Sequence, residues 1–170
     1  MMPVTKITER SLDYALVSFI RSSVMSPTQI AEVWDSETPI GEMKPRSFIQ
    51  YKATPGKHLF LAKAEQSDKW SYIEANLITG EHYVVKLEVT PGGYAARFVM
   101  KPLSPKRGDS DVTEIKEWLT DLKGRKMIDG MVEYYQNTRG ASVKQAINAY
   151  KEGKMIPEIL APEDFWPDSI

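Results

Sequence analysis

The chain has no cysteine and only two histidines, His58 and His82. The first absence excludes disulfides, thiolate metal sites and a cysteine nucleophile. The second leaves too few ligands for a zinc centre, which needs three or four, so neither metal nor cofactor is expected. Neither charge is in excess: 22 Lys and Arg face 23 Asp and Glu, a net charge of −1. A nucleic-acid binder needs surplus cations to displace phosphate counterions, so no nucleic-acid partner is expected. Nothing approaches the roughly 20 apolar residues of a membrane span. Residues 1–10 lack a basic start followed by an apolar core. The chain as written therefore reads as cytoplasmic, or as a cell-envelope protein if the doubled Met1-Met2 replaces an export segment.

What the sequence does carry is a cadence of turns. Thr54-Pro55-Gly56-Lys57, Thr79-Gly80-Glu81 and Pro91-Gly92-Gly93 separate short apolar runs between Lys44 and Leu103. Pro sets φ at the second position of a tight turn and Gly takes the positive φ that follows, so each signal reverses a strand. Runs of about 7–9 residues between such reversals predict an antiparallel sandwich or barrel. Residues 11–22 and 28–35 predict two strands, with a short one near Gly41. Residues 48–53 and 57–64 predict a hairpin, and 59–62 do not alternate, as in a strand covered on both faces. Residues 70–77 and 94–100 also read as strands. The clearest strand is 82–89, where Tyr83, Val85, Leu87 and Val89 face the core and His82, Val84, Lys86 and Glu88 mostly face solvent.

After a polar linker at 104–110 the period lengthens. Val112, Ile115, Leu119 and Leu122 form one stripe of an amphipathic helix, with Asp111 and Glu114 as its start signal and Gly124 as its stop. A second helix is predicted over 127–137, weakened by Gly130. A third runs from the capping box Ser142-Val143-Lys144-Gln145 to Gly153. Three prolines keep the tail at 157–170 from being helical throughout, while Ile159, Leu160, Phe165 and Trp166 give it apolar area to dock. The architecture is mainly β with C-terminal α (α+β): a β-sandwich domain over 11–103, then a helical segment over 104–170 packed on it.

No motif has catalytic spacing, and no catalytic residue is assigned. His58, His82 and Glu74 could converge if their strands were neighbours, but His58 reads as extending a turn and His82 as facing solvent. No serine occupies a Gly-x-Ser-x-Gly elbow. Gly92-Gly93 lacks the strand-to-helix context of a phosphate cradle, and Glu163-Asp164 lacks a partner that would raise one pKa. Trp70, Tyr72, Glu74 and Asn76 share one strand face, opposite Ile73, Ala75 and Leu77. That mixed polar and aromatic face is the candidate binding surface, or else the bed on which the helices pack. His58 and His82 complete the candidate binding set.

Three segments carry a resemblance: Ala15-Leu16-Val17-Ser18-Phe19-Ile20-Arg21, Thr54-Pro55-Gly56-Lys57-His58, and the run from Ala75 through Gly80-Glu81-His82-Tyr83 to Val85. Together they resemble the bacterial family catalogued as domain of unknown function 2846, over about residues 13–103. The resemblance implies a small antiparallel immunoglobulin-like or transthyretin-like sandwich, followed here by two or three helices, and no established activity. His82-Tyr83 stands where the family usually has a Tyr pair, and the lipid-attachment Cys is missing. These readings point to a noncatalytic binding or structural module whose partner is a protein or an envelope glycan. The alternative is a small-ligand carrier or enzyme with a pocket between sandwich and helices. A third reading leaves Tyr134, Tyr135, Phe165 and Trp166 exposed for oligomerisation.

Overall fold

Each turn in the β region is a decision about which sheet the returning strand joins. The computed structural model describes residues 1–7, 9–90, 97–109, 111–167 and 170. Its strands are β1 (Met2–Pro3), β2 (Ala15–Arg21), β3 (Ala31–Asp35), β4 (Thr38–Met43), β5 (Ser47–Ala53), β6 (Gly56–Ala64), β7 (Ser71–Leu77), β8 (His82–Thr90), β9 (Arg97–Leu103), β10 (Lys123–Lys126) and β11 (Glu158–Leu160). The helices are α1 (Val112–Asp121) and α2 (Met131–Lys151). The first sheet has the order β1-β10-β5-β2-β8-β9 and the second β11-β7-β6-β3-β4. The predicted turn Pro91-Gly92-Gly93 and the strand start at Tyr94 lie outside the described residues.

The chain is mainly β, as the cadence implies, but neither sheet is purely antiparallel. β2 runs parallel to β8, β10 to β5, and β11 to β7. For β2 and β8 the cause lies at Pro55-Gly56. Rather than closing a hairpin, this turn carries the chain from β5 in the first sheet to β6 in the second. Thr79-Gly80 returns it from β7 to β8. A Pro-Gly turn fixes a reversal of direction; it does not decide whether the returning strand pairs with its predecessor or faces it across the core.

Between the sheets the core is filled by alternate residues of both, including Val17, Phe19, Val33, Phe60, Ile73, Tyr83, Val85 and Phe98, with Leu160 of β11 joining them. The outer faces are covered as well. On the first sheet, Ile115, Leu119 and Leu122 from α1 and its end pack on Ile20, Phe48, Val84 and Leu103, and Trp166 and Ile170 of the tail join this cluster. On the second, Tyr135, Val143 and Ala146 of α2 pack on Trp34, Leu61, Trp70 and Tyr72. Leu61 and Phe60 thus lie in different clusters, which is why residues 59–62 do not alternate. The outer face of β8, expected to meet solvent, is buried at His82 and Val84 beneath the tail and α1.

The first predicted helix forms, with Asp111 as N-cap accepting from the Glu114 amide at 2.7 Å. The second and third merge into α2, so Ser142 caps nothing and lies mid-helix. Tyr135, Val143 and Ala146 fall on one helical face, and their burial on the second sheet outweighs the roughly 1 kcal/mol that Gly140 costs relative to alanine. Gly124, expected to stop α1, lies beyond it in β10. A Cβ there would come within 2.5 Å of the Val4 carbonyl oxygen and 2.9 Å of the Phe48 ring, so only glycine permits the approach.

Candidate functional site

The six residues of the candidate set separate into three places. His82 lies on the outer face of the first sheet, 6% exposed. Gln50 donates from Nε2 to Ser18 Oγ at 3.3 Å, and Ser18 Oγ lies 2.7 Å from His82 Nε2. The Ser18 hydroxyl has one proton and two lone pairs, so with Gln50 as its donor it still either donates to His82 Nε2 or accepts from it, according to the ring's tautomer. Burial, with Arg10 and Lys6 adding repulsion, pushes the His82 pKa down to about 4. The ring is neutral, and the cavity beside it measures about 10 Å³, barely one water. This Ser-His pair is sealed in packing.

His58 clamps the corner between the sheets. Its Nδ1 lies 2.7 Å from Asp35 Oδ2 and its Nε2 lies 2.7 Å from the Thr54 carbonyl oxygen. Tyr51 of β5 donates to the same Asp35 oxygen at 2.9 Å. The nearest partner of each ring nitrogen is an acceptor, with the Thr54 hydroxyl farther from Nε2 at 3.4 Å, so the arrangement favours the imidazolium, in which both nitrogens donate. The hydrogen bond to Asp35 raises the His58 pKa, against a burial effect that lowers it. Neither nitrogen is left to accept a proton from a substrate. The Pro-Gly-Lys-His element thus ends in a structural clamp joining β3, β5 and β6.

A pH signature follows from that clamp. A histidine whose folded pKa is raised contributes its full stabilisation below its unfolded pKa and loses it as pH rises through the folded value. Replacing His58 with Gln is expected to cost about 2 kcal/mol at pH 6. The difference from wild type should shrink as the pH is raised well above the ordinary histidine range. Urea unfolding of both proteins across pH 5.5–9 checks this; a difference that grows with pH contradicts it.

The remaining four residues share the outer face of β7, as the alternation implies, and α2 divides them. Trp70 and Tyr72 are 6% and 5% exposed, covered by the helix, and the Tyr72 hydroxyl donates to the Ala146 carbonyl at 3.1 Å. Of the two roles open to that half, the structure makes it the bed for the helix. Glu74 and Asn76 lie beyond, lining a groove of about 500 Å³ with Ser36, Lys57, Tyr150 and Ile159. Lys57 pairs in register with Asn76, and Ile159 with Glu74. Tyr150 forms one wall: it stacks on Tyr72 at 6.2 Å and donates to Glu74. That bond, aided by burial, pushes the Tyr150 pKa up to about 12, so the phenol stays protonated.

His58 contributes to the end of this groove, while His82 lies on the other sheet. The expected convergence of His58, His82 and Glu74 does not occur. Sequence reasoning missed Tyr150 and Ile159 as groove residues. Tyr150 sits on the apolar stripe of its helix, where its hydroxyl gives no signal. Ile159 belongs to a strand whose parallel partner lies far away in sequence. The oligomerisation set also disperses: Tyr134 is 55% exposed, but Tyr135 and Trp166 are buried and Phe165 packs against the core.

No group of three or more His, Asp or Glu that could hold a metal ion occurs among the described residues. No helix among them is long and apolar enough to cross a membrane. No family model matches the chain, and comparison with curated proteins and with solved structures finds no match.

Proposed function

We propose that the chain is a noncatalytic binding module that engages a protein segment or an envelope glycan through the groove beside Tyr150. One contrast carries this reading: both histidines are committed to the scaffold, whereas the groove's rim is uncommitted. The side chains of Lys57 and Asn76 have no hydrogen-bond or ion-pair partner among the described residues, and Ile159 is 51% exposed beside them. A surface that offers hydrogen-bonding groups around an aliphatic and aromatic floor suits recognition rather than proton transfer. The alternative, a carrier or enzyme, would use the same junction of sandwich and α2. There Glu74 is already bonded to Tyr150, and the groove has no second ionisable partner beside it among the described residues apart from His58 and Lys57. In this proposal the sandwich is immunoglobulin-like and bacterial, related to the domain of unknown function 2846. The segments that carry that resemblance lie on β2, at the β5–β6 corner and around the β7–β8 turn.

Probing a displayed peptide library and a glycan array with the wild type and with an Asn76→Arg, Ile159→Glu double variant tests the reading. Ligands selected by the wild type should bind the variant at least tenfold more weakly, with thermal unfolding unchanged. Ligands indifferent to both substitutions would contradict it.

A further inference from the structure

The tail leaves β11 at the edge of the second sheet and ends on the outer face of the first, crossing the open side of the sandwich. Its anchors are few and identifiable. The Tyr83 hydroxyl donates to the Pro162 carbonyl at 2.8 Å, the Trp166 amide to the His82 carbonyl at 2.7 Å, and the Trp166 indole to the Leu103 carbonyl at 3.1 Å. Arg10 donates to the Trp166 carbonyl at 2.7 Å and pairs with Glu81. Asp164 accepts from the Ala161 amide at 2.9 Å and lies 3.5 Å from Arg107. Trp166 is fully buried over the first sheet, next to the chamber that holds the His82 ring.

We propose that the segment 161–167 is an acid-released strap: charging the His82 ring lifts it from the first sheet while the two-sheet core stays folded. Three geometric facts support this. The chamber is lined by His82, Arg10, Glu9, Glu81, Pro167 and Ile170 and has no room to hydrate a second charge. Among the described residues the ring's one polar side-chain partner is Ser18, a neutral hydroxyl that supplies no counter-charge. Apart from Leu160 and the partly buried Phe165, none of the described tail residues belongs to the core between the sheets.

Charged groups of both signs surround the ring. Arg10 and Lys6, from the segment before β2, repel an imidazolium. Glu81 and Glu9 lie on the rim of the chamber, and Glu81 is paired with Arg10. Asp164, from the tail, is turned to Arg107 rather than to the ring. Lys86, two residues along the same face of β8, adds a further cation and lies over Trp118 of α1.

Hydrogen exchange of the full chain between pH 7 and 3.5, corrected for intrinsic rates, tests the strap. The Trp166 amide should lose protection at least tenfold relative to amides of β2 and β6, and His82→Gln should abolish that selective loss while Asp164→Asn retains it. Equal loss at tail and sheets, or an unchanged acid response in His82→Gln, overturns the proposal. Should the Gln variant fail to fold, the NMR titration of the wild-type His82 ring decides: its midpoint should coincide with that of Trp166 release, and a separation above one pH unit overturns the strap.

Discussion

Replacing Arg21 with methionine is expected to destabilise the protein by about 3 kcal/mol, lowering its melting temperature by roughly 6–12 °C. Arg21 ends β2 and is fully buried, yet no carboxylate pairs with it among the described residues. Its guanidinium donates to four carbonyls: Gln29 at 2.7 Å, Met43 at 2.9 Å, Ser26 at 3.1 Å and Met25 at 3.2 Å. It also lies 4.6 Å from the centre of the Phe98 ring. Burial without a counterion lowers its pKa to about 10. The cation thus replaces a local hydrogen-bond network for the loop between β2 and β3 and ties that loop to β4. Each charge-assisted bond contributes about 1.5–3 kcal/mol, and relief from burying the charge offsets part of the total. Lysine should rescue little, because one ammonium cannot span carbonyls arranged around a planar fork. Calorimetry with exchange at residues 23–29 checks this; a loss below 1 kcal/mol, or full rescue by lysine, contradicts it.

The second large effect is expected at Arg139, which fastens α2 to the second sheet. Its guanidinium contacts Glu32 at 2.8 Å, Glu42 at 3.1 Å and Glu65 at 3.0 Å, and it lies 4.8 Å from the centre of the Tyr135 ring. Burial raises the Tyr135 pKa, with Glu42 acting in the same direction, so the phenol stays neutral. Glu32 is 2% exposed, and Lys63 at 3.5 Å is its only other cation among the described residues. Replacing Arg139 with leucine leaves the buried Glu32 carboxylate with Lys63 alone, a loss of about 3 kcal/mol. Adding Glu32→Gln removes that charge and should recover at least half. Denaturant unfolding of the two single variants and the double variant measures this coupling; strictly additive losses would show that the pair does not act as a unit.

These two arginines mark where the sequence was legible and where it was not. The alternation of Tyr83, Val85 and Leu87 is local, so the strand and its core face follow from spacing alone. The same holds for the shared face of Trp70, Tyr72, Glu74 and Asn76. What covers that face depends on α2, more than 60 residues later, and no local signal reports it. The Pro55-Gly56 turn was legible as a reversal but not as a passage between sheets, because both outcomes use the same turn chemistry. β10 and β11 were invisible for a related reason: each is short and pairs in parallel with a distant strand, so neither builds an alternating pattern of its own. His82 was placed on the correct face of its strand, and its burial came from the tail, whose docking was foreseeable but not its destination.

The central claim is that both histidines serve the scaffold and leave recognition to the groove beside Tyr150. Long-range ¹H–¹⁵N spectra of the two imidazole rings at neutral pH test it most directly. His58 should show two protonated nitrogens, and His82 a single protonated nitrogen, as a neutral ring does. A His58 ring with an unprotonated, solvent-titrating nitrogen at its ordinary pKa would return it to the pool of working bases and contradict the account.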